Sequence, residues 1–279
     1  MKKITKIISI VLFFLISVFY TNKSIDILKN NDPIMKQIKN TKEKYTISPI
    51  NAIINGNEIQ SGTYGKEIDY ESSYTKMKRY GKYNEALTVL KDTKPTISIE
   101  DTYDKYLTKG NSNKRNVSLV FKITDDKNIM ELLSLLEKKD VQVTFFIDGT
   151  LLENNAKVIK SLSNHEVEIL SYNNKQEETF MTASISYLES LTNREAKFCY
   201  TENDNEDLLK MCSKNKLHTI KPTLVLKNDI YNNIKKSVEK DIVITIDNYQ
   251  GNNLSSAIDY LKSKGYNLVT IQDMFDEST

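Results

Sequence analysis

The side chains that could carry out chemistry are few and widely spaced in this sequence. The 279 residues include two histidines, His165 and His218, and two cysteines, Cys199 and Cys212. These numbers exclude a histidine-rich metal centre, a cysteine-rich zinc module and a disulfide-dense scaffold. The sequence also contains no phosphate-binding glycine loop, no zinc-protease helix motif and no nucleophile elbow, so it gives no sign of the enzymes that use them.

The cysteines and one pair of adjacent aspartates have simple structural interpretations. We expect Cys199 and Cys212 to be free, largely buried thiols, although two cysteines at this spacing could also pair or bind a metal ion. Asp125 and Asp126 could act together as metal ligands. A solvated turn and cap before a helix that starts at Ile129 is the interpretation we favour for them.

The charge balance bears on possible partners. The chain has 39 basic and 37 acidic residues, which gives a net charge of +2. Nucleic-acid-binding proteins usually carry a strongly basic domain or stripe. The predicted partners therefore do not include nucleic acid.

Regularly alternating elements after residue 115 must position any functional residues. Over 116–270, short β-branched and aromatic runs alternate with helical patterns that resemble one another in length. This alternation predicts an α/β domain with a largely parallel sheet. The number of units is too large for a small open sheet, so we expect a distorted barrel of about seven strands. In such a fold, functional residues lie at the C-terminal ends of the strands.

Four segments of this region carry a recognisable pattern. They are 117–121 (VSLVF), 141–149 (VQVTFFIDG), 164–167 (NHEV) and 264–271 (KGYNLVTI). In their order and spacing, these segments resemble the polysaccharide deacetylase (NodB-homology) family. The resemblance implies a distorted (β/α) barrel. It also implies hydrolysis of the acetyl amide of an amino sugar, with zinc or another divalent metal as the cofactor.

The positions that carry catalysis in this family hold different residues here. The family uses a general-base aspartate, a metal-binding aspartate, two metal-binding histidines, an arginine that orients the base, and a general-acid histidine followed by an aspartate. In that order, this sequence has Lys122, Ile123, Leu170, Asn174, Cys199, Ile246 and Asp247. Only Asp247 matches.

These replacements predict that no metal cofactor is bound. A catalytic divalent metal needs about three protein ligands and an open position. Ile123 and Leu170 have no donor atom, and the positive charge of Lys122 would repel a cation. We therefore expect no catalytic residue and no cofactor. We also predict an ion pair between Lys122 and Asp247 across the mouth of the barrel.

A different set of polar residues could bind a ligand at the same mouth. Tyrosine and asparagine suit sugar recognition, because they combine stacking with hydrogen bonding. They are equally ordinary loop residues, and an aspartate at a strand end is as well explained as a helix cap. The binding candidates are Asp148, Tyr172, Asn173, Asn174, Tyr200 and Asp247.

The N-terminus predicts the location of the protein. Residues 1–21 have a lysine-rich start followed by an apolar run, which indicates an uncleaved membrane anchor. A cleaved signal peptide and a buried core helix remain the alternatives. We expect a stalk at 22–44, a small extension that packs on the barrel at 45–115, and the deacetylase-like domain at 116–279. Everything after the anchor should lie outside the cytoplasm.

Three functions agree with these observations. The first is an inactive deacetylase-like protein that binds cell-wall polysaccharide or an envelope protein. The second is an active carbohydrate deacetylase of the peptidoglycan or chitin type with an atypical site. The third is a purely structural ectodomain.

Overall fold

The computed structural model of the protein describes residues 2–111, 115–170, 178–247, 249, 251 and 253–278. The chain divides into two compact units. The first unit comprises Met1–Pro49 and Gly65–Thr93, and the second unit comprises Ile50–Tyr64 and Lys94–Thr279. The domain boundaries expected at residues 21, 44 and 115 do not coincide with these units and stay predictions.

Helices and short strands follow one another along the chain. The helices are α1 (Lys2–Asn31), α2 (Pro33–Asn40), α3 (Lys42–Tyr45), α4 (Tyr70–Tyr80), α5 (Ile129–Lys139), α6 (Gly149–Asn154), α7 (Ala156–Ser161), α8 (Glu178–Thr192), α9 (Glu206–Lys214), α10 (Ile230–Ser237), α11 (Leu254–Ser263) and α12 (Ile271–Phe275). The strands are β1 (Ile53–Asn55), β2 (Glu58–Gln60), β3 (Gly65–Ile68), β4 (Leu90–Thr93), β5 (Tyr106–Lys109), β6 (Asn116–Ile123), β7 (Thr144–Asp148), β8 (Glu166–Leu170), β9 (Phe198–Tyr200), β10 (His218–Ile220), β11 (Leu224–Leu226), β12 (Ile242–Ile246) and β13 (Asn267–Leu268).

The first unit is a small helical body with a two-stranded antiparallel sheet, β3–β4. Helix α1 ends immediately before Asp32, whose carboxylate accepts the N–H of Ile34 at 2.8 Å and caps α2. Pro33 occupies the first helical position, where its missing N–H costs nothing. The core of this unit consists of Met35, Ile38, Ile68, Tyr74 and Met77.

The second unit is built on a largely parallel sheet. Seven of its strands follow the order β8-β7-β6-β12-β5-β10-β9. Neighbours in this order are parallel except β12 and β5, which are antiparallel. The β1–β2 hairpin joins the sheet beside β5, and its turn uses Gly56 with a φ of 60°. The predicted α/β class with a largely parallel sheet is confirmed.

The predicted barrel is not confirmed as a closed ring of strands. Between β8 and β9, no strand pairing joins the described residues. A side chain replaces it, because the carboxylate of Glu168 on β8 accepts the N–H groups of Lys197 and Phe198 at 3.0 and 3.1 Å. Strand β9 also reaches across the sheet, where the Tyr200 hydroxyl donates to Thr245 on β12 at 2.9 Å.

The two faces of this sheet bury separate apolar clusters. One face packs against the flanking helices and includes Leu119, Phe121, Phe145, Ile147 and Ile244. The other face packs against α12 and includes Val120, Phe146, Leu170, Tyr200 and Val243. Alternate residues of each strand therefore point to opposite sides, as the period of a strand requires.

The expectation of two free thiols is wrong. Cys199 on β9 and Cys212 on α9 form a disulfide, with their Cα atoms 6.4 Å apart. Both residues are fully buried. Helix α9 packs so that Cys212 faces the strand, which brings the two sulfur atoms within bonding distance.

Candidate functional site

An ion-pair cluster occupies the C-terminal ends of the central strands. Lys122 lies near the end of β6, and Asp247 directly follows the parallel neighbour β12. The Nζ of Lys122 is 3.3 Å from Oδ2 of Asp247, so the predicted ion pair is confirmed. The same ammonium forms a second ion pair with Glu202, two residues beyond β9. Lys227 lies 3.8 Å from the Asp247 carboxylate and adds a second positive charge.

The cluster is largely shielded from solvent. The side chains of Lys122, Glu202 and Asp247 are 16%, 28% and 15% exposed. Two carboxylates at this depth need a cation, because the ionised forms lose much of their hydration. The ammonium of Lys122 lies between them and supplies that charge.

Glu202 is the residue that sequence reasoning missed. It does not belong to a matched motif, and β9 is not adjacent to β6 in the sheet. The one available signal was its place just after a strand, at the edge where functional residues of this fold collect.

The residues present do not fit a divalent metal. Ile123, Leu170 and Ile246 are buried apolar side chains at positions where the family has ligands or the general acid. Cys199 forms a disulfide and therefore offers no thiolate to a metal ion. In the described part of the chain, no group of three or more histidine, cysteine, aspartate or glutamate side chains could hold a metal ion. Asn174, the remaining ligand position, lies outside the described residues.

Two of the binding candidates are buried. Asp148 is 3% exposed and caps α6, where its carboxylate accepts the N–H of Thr150 at 3.0 Å. Tyr200 is also 3% exposed, and its ring packs on Phe146 with the centroids 5.2 Å apart. Burial raises the pKa of the Tyr200 hydroxyl. A ligand at the strand ends would therefore meet neither side chain without rearrangement.

Of the other four binding candidates, one lies within the described residues and three lie outside them. Tyr172, Asn173 and Asn174 lie outside the described residues. Asp247 is described and is held in the ion-pair cluster. A binding role for this set stays a prediction.

A small cavity opens beside the cluster. Its volume is about 190 Å³, and its lining includes Lys122, Asp125, Asn128 and Tyr249. Ligand pockets usually enclose about 300–1,000 Å³, so this cavity would hold only part of an extended ligand. Asp125 accepts the N–H of Lys127 at 2.9 Å, which agrees with its interpretation as a turn residue.

The two histidines lie away from the cluster. His165 immediately precedes β8, at the opposite end of that strand from the site, and burial lowers its pKa. His218 begins β10 and stacks on Tyr103 with the ring centroids 4.3 Å apart. Burial lowers the pKa of His218 to about 4. Both imidazoles are therefore neutral groups of the fold near neutral pH.

Comparison with known proteins agrees with the resemblance seen in the sequence. Residues 109–223 match the model of the polysaccharide deacetylase family. This part of the chain therefore resembles a divergent polysaccharide deacetylase domain. The YlxY protein of Bacillus subtilis (strain 168) is 28% identical over 176 residues, which are 62% of this chain and 55% of that protein. The match thus spans about half the length of YlxY.

Solved structures share the fold of the deacetylase-like domain. BA3943 of Bacillus anthracis, a CE4 family pseudoenzyme, is 22% identical with a TM-score of 0.66, over 89% of this chain and 96% of that one. The Bc1960 peptidoglycan N-acetylglucosamine deacetylase is 24% identical with a TM-score of 0.54, over 61% of this chain and 92% of that one. At these identities the likeness shows the fold alone.

Proposed function

We propose that this chain is a membrane-anchored, extracytoplasmic deacetylase-like protein that has no catalytic activity and binds cell-wall glycan. The observation that carries the proposal is the ammonium of Lys122, held between Glu202 and Asp247 at the strand ends. The deacetylase reaction would need a metal ion and a general base in this region.

The loss of catalysis follows from the residues themselves. A lysine paired with two carboxylates cannot act as the general base of amide hydrolysis, because its ammonium has no free electron pair. Ile246 cannot donate a proton to a leaving amine. The likeness to BA3943, a pseudoenzyme of the same fold, is consistent with this proposal.

Two features support an extracytoplasmic location. Within α1, Val11–Asn31 is long and apolar enough to cross a membrane, a test that a signal sequence would also pass. The buried disulfide Cys199–Cys212 is of a kind that persists in oxidising compartments and is rare in the cytosol.

The likeness to a peptidoglycan deacetylase and the polar cavity beside Lys122 support glycan as the ligand. An envelope protein is the other predicted partner, and the binding experiment separates the two.

The activity test uses the purified full chain. We expect no stoichiometric zinc or cobalt by elemental analysis and titration, and no acetate from N-acetylglucosamine oligomers or peptidoglycan. One tightly bound metal ion per chain, or acetate release that a chelator abolishes, would contradict the proposal.

The binding test measures sedimentation of the chain with purified, protein-free peptidoglycan. We expect co-sedimentation, weakened by Tyr249→Ala in the cavity. The matched control is Tyr80→Ala, which removes an exposed tyrosine of the first unit. If the chain stays in the supernatant while a pull-down recovers a defined envelope protein, the glycan is the wrong ligand.

A further inference from the structure

Within the first unit, a single residue, Asp32, joins the apolar helix α1 to the elements that follow it. Helix α1 continues past the predicted anchor to Asn31, and α2 starts at Pro33. The eleven residues from Thr21 to Asn31 span about 15 Å of helix. A unit attached in this way stays close to any bilayer that α1 enters.

The last turns of α1 carry three exposed apolar side chains among polar ones. Ile25, Ile27 and Leu28 are 44%, 53% and 73% exposed. Exposed apolar side chains in the last turns of a helix that can cross a membrane are suited to the boundary between headgroups and acyl chains.

The first unit also carries an excess of positive charge. Beyond residue 21, its segments 22–49 and 65–93 hold 12 lysines and arginines against 8 aspartates and glutamates. The second unit has the opposite balance, with 24 basic and 29 acidic residues. The net charge near the apolar helix is therefore +4, whereas that of the second unit is −5.

Several of these basic side chains are free to meet a partner. Four carboxylates of the unit, those of Asp32, Glu67, Glu71 and Glu85, are paired with lysines. The exposed cations with no carboxylate partner within the described chain include Lys36 and Lys42 on α2 and α3, and Lys76 and Arg79 on α4.

The exposed face of α4 brings two of these cations together. The helix buries Ser73, Tyr74 and Met77, while Lys76 and Arg79 line a shallow surface groove with Thr75, Ser72 and Glu71. The Glu71 carboxylate is neutralised by its ion pair with Lys29. This arrangement leaves both charges in solvent.

We propose that the first unit is a membrane-surface module that binds anionic phospholipid headgroups. The basic residues of α2, α3 and α4 supply electrostatic attraction, and the apolar end of α1 enters the interface. Each basic residue near an anionic surface strengthens binding about fivefold. This proposal rests on the membrane anchor in the proposed function and assigns the adjacent unit a role of its own.

The test reports contact between α4 and headgroups in the full-length chain. The sequence has no tryptophan, so Thr75→Trp places the one tryptophan of the variant in the groove. The chain is reconstituted in nanodiscs that contain a lipid with a nitroxide on its headgroup. One set of discs is otherwise phosphatidylcholine, and the other contains about one-third phosphatidylglycerol.

We expect strong quenching only in the anionic discs, with a loss of quenching in high salt because the attraction is screened. In the Thr75→Trp background, Lys36→Glu with Arg79→Glu should weaken the contact at least tenfold. The matched control reverses two exposed lysines of the second unit, Lys138 and Lys160, and should leave quenching unchanged.

Three results overturn the proposal, and they are distinguishable. If the chain co-purifies with the discs but quenching is equal in both lipid compositions, the anchor holds and the headgroup contact does not exist. If the chain does not co-purify with the discs, the anchor itself fails, and the surface module fails with it. A Ser134→Trp reporter on α5 that responds as strongly as Thr75→Trp would also exclude a contact specific to the first unit.

Discussion

The disulfide between Cys199 and Cys212 gives a prediction whose magnitude follows from the structure. The two cysteines are separated by 13 residues and lie fully buried between β9 and α9. In the chain-entropy model, a cross-link that closes a loop of this size stabilises the fold by about 3 kcal/mol. For a domain of about 200 residues, this amounts to a melting temperature about 6–12 °C higher.

The assay compares thermal unfolding of the oxidised chain, the same chain melted with a phosphine reductant, and Cys199→Ala/Cys212→Ala. The reduced chain keeps both sulfur atoms, so it separates the cross-link from the packing. The double alanine variant should melt somewhat lower still, because it also leaves a small cavity. Equal melting temperatures for the oxidised and reduced chains would refute the reasoning. Alkylation of both cysteines in the unfolded, unreduced chain would show that the bond is not formed.

Two further predictions concern charged groups inside the second unit. Lys122→Met should lower the free energy of unfolding by about 1–3 kcal/mol, which lies between the values for exposed and buried ion pairs. Adding Glu202→Gln should restore part of that loss, because it removes a carboxylate left without its cation. A double-mutant cycle measured by urea unfolding checks this. Lys127→Met, at a lysine with an 81% exposed side chain, is the control and should change the stability by less than about 0.5 kcal/mol. Burial, and next the charge of Glu166, hold the pKa of Glu168 well above its usual 4.5, so the folded protein keeps a proton that the unfolded chain releases. The stability that this group contributes is fully present at acidic pH and is lost as the pH rises through the raised pKa. Glu168→Gln should therefore lose less stability than the parent chain between acidic and alkaline pH. An identical pH dependence of the free energy of unfolding in both chains would contradict this.

The sequence was sufficient for those features that depend on local pattern and strand direction. Alternating strands and helices predicted the parallel sheet, because the β-branched and aromatic runs around Val120 and Phe146 are typical of buried strands. The ion pair between Lys122 and Asp247 was predictable because both residues lie at the C-terminal ends of strands that meet at one edge of the sheet.

Features that depend on how distant elements pack were not predictable. Glu202 reaches Lys122 because β9 comes close to β6 without being its neighbour in the sheet. The disulfide depends on the docking of α9 against β9, which the spacing of two cysteines does not determine. The side-chain bridge from Glu168 to β9 likewise has no signature along the chain.

The replacement of the family's metal ligands and the presence of Lys122 are chemically linked. Acidic side chains at the strand ends need a nearby cation whether or not the site reacts, because Asp247 is only 15% exposed. A bound metal would meet that need in an active site, and the Lys122 ammonium meets it here. A lysine held by two carboxylates also opposes any divalent ion that approaches the same oxygens. Supplying ligands at Ile123 and Leu170 alone should therefore leave the site without metal. Removal of the Lys122 charge is required as well, since the carboxylates become available to a metal only when the ammonium is gone.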